Sequence, residues 1–289
     1  MNKQIDFSRL NVVVILIDTL RADHLGIYGY DRNTSPNIDN LAAKGVVFER
    51  AYAPSSFTRE SVASLFTGYY PWHGGHSDWD AHPLPELETM AEMFSTAGYQ
   101  TGFFSNSIMI QHQDFLRGFN EVAFPDKSWS PSRKGYELST AALEYAKTLK
   151  DDRPFFMYVH YMDPHGSYDP PLSLLKKFER VQVEDRLHLY KQLRSDLRRL
   201  KLKGFGPDDP RFINLVDRYD AEIAHTDGAI QALMDGLEEL DKVENTLFII
   251  TSDHGEEFME HKSVEHGWTL YNEVIHVPLI FYAPRFIRP

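Results

Sequence analysis

Val12-Val13-Val14-Ile15-Leu16-Ile17-Asp18-Thr19-Leu20-Arg21 and, far downstream, Leu247-Phe248-Ile249-Ile250-Thr251-Ser252-Asp253-His254-Gly255-Glu256 share one form. Each is a short, wholly apolar, β-branched run that ends abruptly in a carboxylate or an imidazole. A parallel strand buried on both faces reads this way when it delivers ligands to the carboxyl edge of its sheet. Open α/β folds place their chemistry at that edge. Between the two runs lies Phe57-Thr58-Arg59-Glu60-Ser61-Val62-Ala63-Ser64-Leu65-Phe66-Thr67-Gly68, a hydroxyl residue opening a short helix. Strand-end ligands together with a hydroxyl imply metal-assisted chemistry on a phosphate or sulfate ester.

Working outward, strand-like runs recur near 101–105, 154–159 and 277–282. Helix-like stretches fall at about 36–44, 59–66, 86–97, 136–149 and 214–240. Alternation of this kind predicts a mostly parallel sheet with helices on both faces. The 289 residues suffice for one such domain spanning 1–289. The rhythm breaks at about 172–212, where leucines are scattered among Arg and Lys, and a helical insertion over one sheet edge is expected there. The strand-like 277–282 lies close to the last residue, so the domain is expected to be truncated at its carboxyl end.

Composition excludes several classes. Net charge is -12, which argues against a nucleic-acid partner. The charge is uneven: residues 173–204 hold ten Lys/Arg against four Asp/Glu, leaving an acidic remainder. Among the basic residues there, Arg194, Arg198 and Arg199 are candidates for drawing an anionic substrate inward. With no Cys there is neither a disulfide framework nor thiolate chemistry. No signal peptide or transmembrane segment is legible, so the chain as given reads as cytoplasmic. Its expected partner is a small anionic ester, and its oligomeric state is not readable.

Several short segments together resemble the sulfatase branch of the alkaline phosphatase superfamily. They are Asp18-Thr-Leu-Arg-Ala-Asp-His-Leu-Gly, Ser35-Pro36-Asn37-Ile38-Asp39-Asn40-Leu41-Ala42, Thr58 to Gly68 with Tyr70-Pro71-Trp72-His73-Gly74, Asp163-Pro164-His165, Ser252 to Glu256, and His266-Gly267. Their joint order carries the resemblance, which is weakest across the insertion. It implies an alkaline-phosphatase-like fold and a divalent metal held by Asp18, Thr58, Asp253 and His254. Carboxylates with one imidazole suit Zn²⁺ or Mn²⁺, with Ca²⁺ and Mg²⁺ as alternatives.

Aligning Thr67-Gly68 with the family's Thr-Gly places Thr58 where sulfatases carry the Cys or Ser that matures to formylglycine. A plainer role for Thr58 is the N-cap of the following helix. By the same resemblance His165 and His266 lie around the transferred and leaving groups, and with Asp163 they form a candidate second metal site. His160 and His261 are undecided between function and structure.

The chain also departs from the sulfatase pattern. Glu60 and Val62 replace the Pro and Arg of the nucleophile motif, and Asn106 stands where the family has a Lys. Formylglycine chemistry is therefore excluded. The pattern approaches the members with a threonine nucleophile: phosphodiesterases, phosphonate hydrolases and phosphoethanolamine or phosphoglycerol transferases. The leading expectation is a metal-dependent hydrolase of a phosphate, phosphonate or sulfate ester. A phosphoryl-group transferase and a catalytically dead anion-binding relative are the alternatives.

Overall fold

The computed structural model describes residues 10–74, 80–124, 135–181 and 208–287. Its strands are β1 Asn11–Ile17, β2 Val46–Val47, β3 Ala51–Tyr52, β4 Gln100–Ser105, β5 Glu121–Ala123, β6 Phe155–Tyr161, β7 Thr246–Thr251, β8 Glu257–Phe258, β9 Val264–Glu265, β10 His276–Val277 and β11 Leu279–Tyr282. Seven of them form the main sheet in the order β2-β11-β7-β1-β6-β4-β5. From β7 to β5 all neighbours are parallel, whereas β11 pairs antiparallel with both β7 and β2. The mostly parallel sheet expected from the sequence is what the chain forms.

Side-chain alternation along β1 explains the layering. Val13, Ile15 and Ile17 point into one core, where helices Gly135–Thr148 and Pro210–Glu239 supply Leu138, Ala142, Tyr219, Ile223, Ile230 and Leu233. Val12, Val14 and Leu16 point into the other, against Val62, Ala63 and Phe66 of helix Thr58–Thr67 and against Phe103, Phe156 and Tyr158 of β4 and β6. Both faces are covered, which is why these strands carry no polar alternation.

Two boundaries shift for local reasons. The helix expected over 86–97 runs only from Met90 to Thr96, because Thr89 forms a capping box. Its hydroxyl accepts from the Glu92 amide at 3.2 Å, and the Glu92 carboxylate accepts from the Thr89 amide at 2.8 Å. In the insertion, Leu172–Phe178 is helical and packs Leu175 and Phe178 against Ala221 of the long helix. Residues 182–207 of the insertion, with Arg194, Arg198 and Arg199, lie outside the described residues. No described helix is long and apolar enough to cross a membrane.

Candidate active site at the carboxyl edge

The alternation that builds the two cores also builds the site. Asp18 continues the Val12, Val14, Leu16 side of β1, and Asp253 continues the Ile249 and Thr251 side of β7. His160 continues the Phe156 and Tyr158 side of β6, and the register pairs both His160 and Thr251 with Leu16. All three therefore lie on the face covered by the helix that begins at Thr58. Asp18, His160 and Asp253 present ligand atoms within 4.8 Å of one another, and all three are buried.

Thr58 does not cap its helix. The cap position is Phe57, which makes no side-chain cap, and Thr58 is the first helical residue. Its Oγ1 lies 3.2 Å from Nε2 of His254. The helix is anchored to the strand end by Ser61, whose hydroxyl donates to the Asp253 carbonyl at 2.6 Å. Val62, in the place of the family's arginine, is fully buried in the apolar core. No guanidinium can approach Thr58 from that position.

The Asp18–Asp253 pair is held in an unusual way. Thr19, between them, adopts φ 56°, a left-handed conformation that a β-branched residue reaches only under strain of about 1–3 kcal/mol. It is fastened on both sides: its amide donates to Asp253 Oδ1 at 3.2 Å, and its carbonyl accepts from the Tyr219 hydroxyl at 2.7 Å. Ser252 accepts from the Leu20 amide at 3.0 Å and donates to the His254 carbonyl at 2.6 Å. Gly255 is required by close approach, since a Cβ there would lie 2.1 Å from the Glu273 carbonyl oxygen.

Two buried carboxylate oxygens, Asp18 Oδ1 and Asp253 Oδ2, make no hydrogen bond. Burial, reinforced by the charge of Asp253, pushes Asp18 up to about 7. Burial also acts to raise Asp253, but His254 and His160 outweigh it and hold that carboxyl below its usual value. The two directions are consistent with one proton shared by a crowded pair, and a bound cation would relieve the crowding. Burial lowers His160 to about 4, so its ring is neutral near pH 7, with Nε2 3.2 Å from Asp18 Oδ2. The orphaned oxygens, the Thr58 hydroxyl and the His254 imidazole fit a divalent ion of the Zn²⁺ or Mn²⁺ type.

Three further imidazoles share a common arrangement. His254 Nδ1 lies 3.0 Å from the Gly255 carbonyl, His165 Nδ1 lies 2.8 Å from the Gly166 carbonyl, and His266 Nδ1 lies 3.0 Å from Glu256 Oε1. Each Nδ1 faces an acceptor, so each ring carries its proton there and keeps its lone pair on Nε2. The rings are neighbours: the His254 and His266 centroids are 4.3 Å apart, and those of His165 and His266 are 5.2 Å apart. Glu256 is buried, accepts from the Tyr168 hydroxyl at 2.7 Å, and is raised by burial above the usual carboxyl value.

The structure thus brings Asp18, Thr58, Asp253 and His254 to one place and sets His165 and His266 beside them. Asp163 Oδ2 lies 3.4 Å from Nδ1 of His225 on the long helix. His261 stacks on Tyr271 with centroids 3.5 Å apart. His160 and Glu256 are the participants that sequence reasoning left unassigned. Alternation along Phe155–Tyr161, counted from the face of Thr58, is the signal that would have found His160.

The chain is 26% identical to the uncharacterized sulfatase YidJ of Escherichia coli K12, over 96% of this chain and 63% of that protein. It therefore spans less than two thirds of that relative's length. Among solved structures, BT4656 in complex with its substrate D-glucosamine-2-N,6-O-disulfate superposes with a TM-score of 0.80 at 18% identity, over 97% of this chain and 72% of the other. The phosphonate monoester hydrolase of Agrobacterium radiobacter superposes with a TM-score of 0.75 at 19% identity, over 96% and 68%. The sulfatase family model matches residues 10–289, from the first residue of the described fold through its last strand, and the chain belongs to the sulfatase family.

Proposed function

We propose that this chain is the catalytic part of a metal-dependent hydrolase that cleaves a phosphate, phosphonate or sulfate ester with the Thr58 hydroxyl as nucleophile. The observation that carries the reading is the convergence of Thr58 Oγ1, His254 Nε2 and the two unsatisfied oxygens of Asp18 and Asp253 in one buried place. Asp18, Thr58, Asp253 and His254 would hold the ion. When bound, it lowers the hydroxyl's pKa and offsets the charge of the ester.

This chain's own groups do the rest. The amino end of helix Thr58–Thr67, beside Thr58 Oγ1, receives an anionic oxygen of the ester. Thr58 Oγ1 bonds to the central phosphorus or sulfur as the bond to the alcohol oxygen breaks. The Thr58 hydroxyl proton passes to Nε2 of His165 or His266, which then supplies it to that oxygen. Water then attacks the same central atom, one of its protons returns to Thr58 Oγ1 through the same histidine, and the sulfate, phosphate, phosphate monoester or phosphonate is released.

Phosphorus esters are the preferred class. A formylglycine hydrate expels sulfate by cleaving its own carbon–oxygen bond, but a threonine has no second hydroxyl to drive that step. Thr58 esterified by sulfate must be attacked at sulfur, whereas a phosphothreonine is released by attack at phosphorus. Likeness to sulfatases and to a phosphonate monoester hydrolase keeps both classes in the test. The experiment is a panel of nitrophenyl sulfate, phosphate monoester, phosphodiester and phosphonate ester. Faster turnover of the sulfate than of every phosphorus ester would overturn the preference.

A further inference from the structure

Away from the candidate active site, His82, His112 and Asp114 place one ligand atom each within 4.8 Å of one another. A single oxygen, Asp114 Oδ2, lies 3.0 Å from His82 Nδ1 and 3.2 Å from His112 Nδ1. The two imidazoles stack, with centroids 4.4 Å apart and planes 23° apart. A tetrahedral ion with bonds of about 2.0–2.1 Å sets its ligand atoms roughly 3.3 Å apart, close to the 3.0 and 3.2 Å between Asp114 Oδ2 and the two imidazoles. His112 Nδ1 also faces the Asp114 amide at 3.4 Å. His82 Nδ1 also lies 3.3 Å from the Pro83 carbonyl, and a zinc ion takes the place of the proton held there. His82 and Asp114 are partly buried and His112 is exposed, so an ion has a route in from solvent and room for a water as fourth ligand.

We propose that His82, His112 and Asp114 form a peripheral Zn²⁺ site, separate from the ion held by Asp18 and Asp253. The site joins two loops that the sequence leaves independent. His82 precedes the helix capped by Thr89, and His112 and Asp114 lie on the connection leaving the carboxyl end of β4. That connection begins with Asn106 and Ser107, directly after Ser105, which is in register with His160. Arg117 already ties the same loops, donating to the carbonyls of Leu84 at 3.0 Å and Leu87 at 2.8 Å. An ion beside it fixes the wall of the candidate active site on the β4 side.

The alternative is that both histidines merely hydrogen-bond to Asp114. Metal-stripped protein titrated with zinc chloride by calorimetry separates the two. Asp253→Ala protein, in which the other ion site is disabled, should still take up one Zn²⁺ per chain. Adding His112→Gln, at the exposed member of the cluster, should weaken that uptake about tenfold or more. It should also abolish the rise in melting temperature that zinc produces in the Asp253→Ala parent. Equal zinc affinity with and without His112→Gln, or no zinc uptake by the Asp253→Ala protein, would overturn the proposal. Either result is independent of whether the reading of Thr58 stands.

Discussion

His160 Nε2 lies 3.2 Å from Asp18 Oδ2, with both side chains fully buried. The contact joins the ends of two adjacent parallel strands, because the register sets His160 opposite Leu16. It also continues inward, with His160 Nδ1 3.3 Å from the Tyr158 hydroxyl. A neutral ring that donates from Nε2 to the carboxylate and accepts from the tyrosine fixes which oxygen of Asp18 remains for an ion. His160 is thereby a positioning residue for Asp18.

His160→Phe should keep the fold but lower metal affinity and kcat by about 10–100-fold, as loss of a partner behind a metal ligand does. His160→Gln retains an amide donor and should recover a substantial part of both. Metal affinity by competitive chelation and kcat are the readouts. Equal losses in the Phe and Gln variants would show that the hydrogen bond to Asp18 is not what His160 contributes.

Asp18 makes metal-free stability depend on pH. Its carboxyl is raised from 3.8 unfolded to about 7 folded, so the folded state binds the extra proton between those values. The stabilisation is complete below about pH 3.8 and is lost as pH rises through about 7. Metal-free Asp18→Asn should therefore be more stable than the parent at pH 8, by on the order of 4 kcal/mol at most. The same variant should bind metal poorly and be inactive. Chelator-treated samples compared by urea denaturation decide this, and a less stable Asn variant at pH 8 would contradict it.

Glu256→Gln should lower kcat by about 10–100-fold with a smaller change in KM. A glutamine can turn its amide toward His266 Nδ1, which reverses the tautomer and moves the lone pair away from Nε2. The pH–rate profile should change on the limb assigned to the general acid. An unchanged kcat and profile would remove His266 from proton transfer.

Gly255→Ala should destabilise the protein by on the order of 1–3 kcal/mol, because the new methyl meets the Glu273 carbonyl oxygen at 2.1 Å. The backbone must shift at the residue that accepts from His254 Nδ1. Metal affinity should fall together with stability. A variant with parental melting temperature and metal content would show that the loop yields freely.

The apolar runs 12–17 and 247–251 were sufficient to place β1 and β7, because a strand covered on both faces needs no polar alternation. The ligands Asp18, Asp253 and His254 were legible because polarity switches abruptly at the strand end. His160 was not, since a histidine within Phe155–Tyr161 looks like part of an aromatic core until register sets it beside Asp18. Glu256 stood within a quoted motif, but only the fold of β8 and β9 brings His266 back to it. Asp163 was expected with His165 and His266, and its nearness to His225 depends on the long helix crossing 62 residues downstream. Strands of two or three residues such as β2 and β5 are too short to leave a periodic signal.

The nucleophile is tested most directly by turnover of the best phosphorus ester with Thr58→Ala and Thr58→Ser. Each variant is first shown to bind its metal and to keep the parental melting temperature. The account predicts that Thr58→Ala loses at least about a thousandfold in kcat, while Thr58→Ser, which keeps a hydroxyl, retains measurable activity. Near-parental turnover by Thr58→Ala would contradict it.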